Sequence, residues 1–226
     1  MRIGTQDDPF NLTALQGDEA TYFSQGYNLM RLKTNIFWDS REEDTRIGSG
    51  SGVRIDLLGR LGQGLGDRSD TVQFIRYGVE LSGFLAVYRK RTIGLRLYTE
   101  LADPIGEDAH IPFAELITMG GLEQMRGFLF ARFHGRSAFL ASIDYRYPIW
   151  TYLDAELFYE VGNTFGKHLD GLELDLLRSS MGVALRSLYS RYVSFDLLFG
   201  IGMTPFDSPN HEIDSFRVTL GTNTGF

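Results

Sequence analysis

The sequence predicts an all-β chain: an antiparallel transmembrane β-barrel of about nine strands interrupted by one long loop. Three observations carry this reading. Apolar and polar residues alternate with a period of two through most of the 226 residues. The polar face of each alternating segment carries arginines or acids, whereas the apolar face is almost free of charge. No run of about 18 apolar residues is present to make a membrane helix. Alternation by itself would also suit the half-buried sheets of a soluble sandwich, which is the competing reading. Lipid outside and a hydrated, charge-lined lumen inside account better for the division of charge between the faces.

The elements follow in order. From Tyr27 to Asp39, Met30, Leu32, Thr34, Ile36 and Trp38 fall on one face, with Arg31, Lys33, Asn35 and Asp39 on the other. After the glycine-serine run at 48–52, Val53, Ile55, Leu57 and Leu61 oppose Arg54, Asp56 and Arg60. A third strand sets Tyr77, Val79, Leu81, Leu85 and Val87 against Arg76, Glu80 and Ser82. In the fourth, Ile93, Leu95, Leu97 and Leu101 oppose Arg96, Tyr98 and Glu100. Residues 102–135 break the pattern and form a long loop, far above the 2–5 residues of an ordinary hairpin connection. Five more strands follow within 136–226. The first has Phe139, Ala141, Ile143, Tyr145 and Tyr147 opposite Ser142, Asp144 and Arg146, and Pro148 ends or edges it. The next has Leu153, Ala155, Leu157, Tyr159 and Val161 opposite Asp154, Glu156, Phe158 and Glu160. A polar loop at 167–178 leads to a strand at 181–186, another at 193–202, and a last one in which Phe216, Val218 and Leu220 oppose Arg217 and Thr219.

Composition narrows the function classes. Mean hydropathy is −0.14, which alternation explains, because lipid-facing and lumen-facing residues average out. Aromatics make up 13% and glycines number 26, a mixture suited to aromatic girdles and tight turns. Trp38, Tyr147, Trp150 and Tyr152 lie near strand ends, where an interfacial belt would place them. The absence of cysteine removes disulfides, zinc ribbons and thiol nucleophiles. A net charge of −7 argues against nucleic acid, whose binders need a basic surface. His110, His134, His168 and His211 lie mainly in loops without metal-ligand pairing, and no nucleophile elbow or phosphate loop occurs. No enzyme activity, cofactor or metal is therefore expected. Met1–Asp8 has no apolar signal-peptide core, which suggests a mature chain or a fragment.

Three segments stand out: Gly120-Gly121-Leu122-Glu123-Gln124-Met125-Arg126-Gly127-Phe128, then Ser142-Ile143-Asp144-Tyr145-Arg146-Tyr147-Pro148, then Leu157-Phe158-Tyr159-Glu160-Val161-Gly162-Asn163. Together they resemble the loop-and-barrel signature of the BamA/TamA-type outer-membrane insertase superfamily, which includes two-partner-secretion transporters and patatin-fused barrels. The resemblance implies that the loop folds into the lumen and that Arg126, followed by Gly127 and Phe128, meets acids on the wall. Asp144 would be the acid of the first strand after the loop, and Phe158, Glu160 and Gly162 the Phe-x-acid-x-Gly element of the next. The family commonly carries Glu and then Asp at the two acid sites, and here the order is reversed. A guanidinium has five donors in a planar fork, so it can keep both contacts by shifting toward one wall. Parity agrees, since Asp144 shares a face with Ser142 and Arg146, and Glu160 with Glu156 and Phe158.

The same resemblance implies the rest of the functional expectation. The chain would be the C-terminal part of a sixteen-stranded barrel in the bacterial outer membrane, residues 1–25 being an irregular lead-in without room for POTRA domains. It would serve as the membrane-embedded part of an insertase or a polypeptide translocation pore. Lipid and lipopolysaccharide would surround it, unfolded outer-membrane or secreted polypeptides would be its clients, and a missing N-terminal barrel half or another chain would complete it. Clients would add at a seam by β-augmentation, with Phe216, Val218 and Leu220 along one side and Phe226 as a terminal assembly signal. A passive structural barrel or small pore is the alternative, as is closure of the chain as a small barrel.

Overall fold

The computed structural model describes residues 28–41, 50–65, 71–151, 153–187, 194–208 and 212–223. The long strands are β1 (Asn28–Asp39), β2 (Gly52–Leu65), β3 (Gln73–Val87) and β4 (Arg91–Pro104). Two short strands, β5 (Ile117–Met119) and β6 (Phe133–Gly135), come next. Then follow β7 (Ser137–Trp150), β8 (Leu153–Phe165), β9 (Arg178–Ser187), β10 (Ser194–Pro205) and β11 (Ile213–Asn223). The nine long strands make one antiparallel sheet in the order β1-β2-β3-β4-β7-β8-β9-β10-β11. Each lies beside its neighbour in sequence, except that β4 pairs with β7 across the long loop. Among the described residues the sheet is open, with β1 and β11 as its two edges.

Alternation sets the faces. On the outer face Leu57, Leu95, Leu97, Ile143, Leu157, Val183, Val218 and Leu220 stand exposed, while the inner neighbours Glu156, Glu160 and Ser180 are buried. A period-two strand has no other way to separate eight apolar side chains from the acids between them. Trp38 and Trp150 are exposed at strand ends, and Tyr152, His211 and Phe226 lie outside the described residues, as do residues 1–25.

Three sequence expectations change. β4 runs on to Pro104 and β7 starts at Ser137, so the connection is 105–136 instead of 102–135. Ala102 and Asp103 pair with Arg76 and Ile75 of β3, which supplies the ladder that weak alternation at the strand end did not reveal. Pro148 does not end β7. It sits opposite Asp154, and the register shifts between it and Trp150, as a residue lacking an N–H donor requires. Most consequentially, the inner face around the loop is not a hydrated wall. Loop residues Ile117, Met119, Met125, Phe128 and Phe133 form one buried cluster with Tyr98, Ala102, Ala138 and Leu140 of the wall. Burying each large apolar side chain is worth about 1.5–3 kcal/mol, so apolar packing holds the loop in place beneath any ion pair. β5 and β6 pair with each other, Met119 opposite Phe133, and close the loop on itself as a hairpin against the inner face.

Candidate functional site: the loop and its carboxylate wall

The tip of the loop is a tight turn in which the Phe128 N–H donates to the Met125 carbonyl at 2.9 Å, leaving Arg126 and Gly127 at its centre. Met125 enters the turn at φ 49°, a left-handed conformation that costs a residue with a side chain of order 1 kcal/mol and is held here by complete burial. Strand register decides what the turn meets. Asp144 pairs with Phe158, Phe158 with Gly182, Gly182 with Gly200, and Gly200 with Arg217. The adjacent inner row runs Arg96, Ser142, Glu160, Ser180, Gly202. Acids therefore stand on β7 and β8, and a trough of glycine and serine crosses β9 and β10.

Arg126 fits that pattern. Its backbone N–H donates to Glu160 Oε2 at 2.6 Å and its Nε to Glu160 Oε1 at 2.9 Å. Nη1 donates to Glu156 Oε1 at 2.6 Å, and Nη2 to Asp144 Oδ1. The guanidinium carbon lies 3.9 Å from the centroid of the Phe158 ring, so the fork is held flat on an aromatic face while its edges engage carboxylates. Arg126 is 5% exposed, Glu156 2% and Glu160 0%. Burial alone would pull the pKa of this loop arginine down, but Glu160, Asp144 and Glu156 outweigh it and hold the value above the ordinary one. The acids have further cations: Arg146 and Arg186 each reach Glu156 Oε2 at 3.1 Å, and Arg96 reaches Glu160 Oε1 at 3.6 Å. Four guanidiniums thus face three carboxylates, and each acid is paired.

The rest of the turn is fixed by close approach. A Cβ on Gly127 would lie 2.3 Å from the Ile201 carbonyl, which leaves glycine as the residue that fits. Its N–H donates to Ser180 Oγ at 2.7 Å. Phe128 is fully buried, with its ring packed edge-on to Phe133 at 4.8 Å and seated over Gly202, where a Cβ would come within 2.6 Å of it. Gly162 faces the other arm of the loop, since a Cβ there would lie 3.1 Å from the Met119 methyl and 2.5 Å from the Phe139 carbonyl. Arg126, Gly127, Phe128, Asp144, Phe158, Glu160 and Gly162 are therefore gathered in one place. Phe216, Val218 and Leu220 are not, because they project from the outer face of the edge strand β11.

Several residues at this site were not singled out from the sequence. Arg217, lying between Phe216 and Val218, turns inward and donates from Nη1 to the Phe128 carbonyl at 2.9 Å, tying the turn to β11. Its Nε is oriented by Thr219 Oγ1 at 2.9 Å. Arg96, Arg146 and Arg186 were visible as inner-face charges, but only strand register reveals which acid each one meets. The glycines and serine of the trough had a signal in their inward parity, with Gly182, Gly200 and Gly202 on the same face as the acids. Beside the turn a cavity of about 580 Å³ opens, lined by Arg96, Arg126, Arg146, Arg186, Asp144 and Glu156 among others.

A family model, the Omp85 superfamily domain, matches residues 8–224. Among solved structures, BamA from Haemophilus ducreyi lacking POTRA domains 1–3 is similar with a TM-score of 0.61 at 15% identity. The match covers 84% of this chain and 42% of that one, so the chain spans less than half the length of that relative. No curated protein matches the chain. A nine-stranded antiparallel sheet wrapped on an inward loop, matched almost end to end by the domain model, places the chain in the Omp85 superfamily.

Proposed function

We propose that this chain is the C-terminal part of a bacterial outer-membrane barrel that inserts or translocates polypeptides, with residues 105–136 as a lumen loop locked by Arg126. The observation that carries the reading is one buried loop arginine shared among Asp144, Glu156 and Glu160. Nothing about forming nine strands requires that arrangement, since the apolar cluster already seats the loop. Its use is to fix the loop's orientation relative to β7 and β8. Clients of this function are unfolded outer-membrane or secreted polypeptides. They pair by backbone hydrogen bonds at an edge of the sheet, with Phe216, Val218 and Leu220 of β11 along one side of the seam. The surrounding medium is outer-membrane lipid with lipopolysaccharide, and the remaining strands of the barrel complete the wall. The chemistry is noncovalent throughout, with no catalytic residue and no cofactor.

The test is reconstitution of the complete protein in liposomes with an unfolded barrel client, followed by protease protection of the inserted client. Arg126→Ala should lower the insertion rate while the barrel itself stays folded. Ion conductance with no client-dependent insertion in the unmodified protein would instead support a passive pore.

A further inference from the structure

The loop grips the wall a second time, on the far side of the sheet and with the charges reversed. Glu115 closes the short 3-10 turn Phe113–Glu115 and is 4% exposed. Its Oε2 accepts from Arg31 Nε on β1 at 3.3 Å, and its Oε1 accepts from Arg31 Nη2 in a closer contact. Arg76 of β3 reaches the Glu115 carbonyl from Nη1 at 3.4 Å and gives its Nε to Glu100 Oε1 at 2.8 Å. Glu100 in turn accepts from the Tyr98 hydroxyl. At this point the loop supplies the carboxylate and the wall the cation, whereas at Arg126 the loop supplies the cation. The two grips share only β4: the first reaches β1, β3 and β4, and the second β7 to β11 together with Arg96 of β4, counting the Arg217 bond to the Phe128 carbonyl. One loop therefore bridges the sheet from its first edge strand to its last.

We propose that Glu115 is a second latch, a positioning residue that holds the first arm of the loop to β1 through Arg31 and releases independently of Arg126. Arg31 is the cation that engages both carboxylate oxygens of Glu115, and the charge of Arg60 acts on the same carboxylate, so neutralising Arg31 leaves a buried acid less well compensated and the arm around it loosens. Arg31 is about half exposed on its side chain, at 48%, and its replacement removes charge without opening the interior. The inference rests on the reading of residues 105–136 as a lumen loop whose orientation is fixed by contacts with the wall.

Hydrogen exchange on the complete protein in detergent micelles tests it, reading residues 113–119 and 125–131 as separate segments. Arg31→Met, which keeps the stem and drops the charge, should speed exchange in 113–119 about tenfold and leave 125–131 unchanged. Tenfold corresponds to about 1.4 kcal/mol of easier opening. Arg31→Lys keeps the charge and should hold exchange near that of the unmodified protein, a distinction that mere space-filling would not make. Glu115→Gln should match Arg31→Met; if it fails to fold, the two Arg31 variants carry the result alone. Arg126→Ala should show the opposite pattern, fast in 125–131 and slow in 113–119. Unchanged protection in Arg31→Met, or equal loosening of both segments, would overturn the second latch. Client insertion measured on the same samples reports separately on the functional reading: if Arg126→Ala inserts clients normally, that reading fails whatever the exchange pattern.

Discussion

Arg126 is the residue whose environment departs furthest from what a lumen charge ordinarily meets. Breaking a fully buried ion pair by removing one partner costs about 3–5 kcal/mol, because the abandoned charges stay out of water. A hydrated lumen would screen that loss, but Glu160 is fully buried and Arg126 nearly so, and the cations that remain on Glu156 and Glu160 offset only part of it. Arg126→Ala should therefore destabilise the loop by about 3–5 kcal/mol, measured by denaturant unfolding with a probe in the loop. Glu160→Gln should also destabilise it. The double variant should lose less than the sum of the two, because both remove the same contact. Strict additivity would mean that Arg126 and Glu160 are not energetically coupled. Arg126→Lys should fall between, since an ammonium cannot present a planar fork to Asp144, Glu156 and Glu160 together.

At the scale of elements, the strands and the loop divide the work. The strands are two-faced ribbons whose outer face answers to lipid, while the inner face answers to the loop on one side of the molecule and to the cavity beside it. Leu157 is 45% exposed on the outer face of β8. Leu157→Arg should cost about 2–4 kcal/mol if it sits at the bilayer midplane. Thr219 on β11 lines the inner cavity instead, and Thr219→Arg should cost well under half as much. Folding free energies of the complete protein in lipid vesicles would decide this, and equal tolerance at the two positions would defeat the assignment of faces. The loop is an element in its own right, with the β5–β6 hairpin at its base and an apolar cluster under it.

At the scale of the whole molecule, the loop crosses the inner face from β1 to β11 and occupies space that would otherwise be open. Removing residues 113–132 and joining the ends with a short glycine-serine linker should leave the strand ladders intact, because none of the nine long strands lies within that segment. Single-channel conductance of the complete protein in planar bilayers should rise markedly, with the far-ultraviolet strand signal preserved. Unchanged conductance would show that the loop does not limit the passage. An open edge on either side of the described sheet exposes unpaired backbone groups, which lipid does not tolerate.

Strand number, strand order and the two faces were legible in the sequence, because a side-chain period of two is written directly into the order of residues and one hairpin follows another. The nine alternating segments are the nine long strands, and the parity that put Asp144, Glu156, Phe158 and Glu160 inward is the parity observed. What the tertiary structure alone decided is the distance between residues on different strands. Register aligned Gly182, Gly200 and Gly202 into a trough, gave Arg146 and Arg186 to Glu156, and brought Arg217 under the Phe128 carbonyl. Dryness was hidden for the same reason: Met119, Met125 and Phe128 follow no period along the chain, and their shared burial arises when a loop closes over a wall that lies far from it in sequence. Alternation is a local property that steric geometry imposes on each strand separately, whereas burial and ion pairing depend on long-range contacts that exist only after the sheet has curled around its loop.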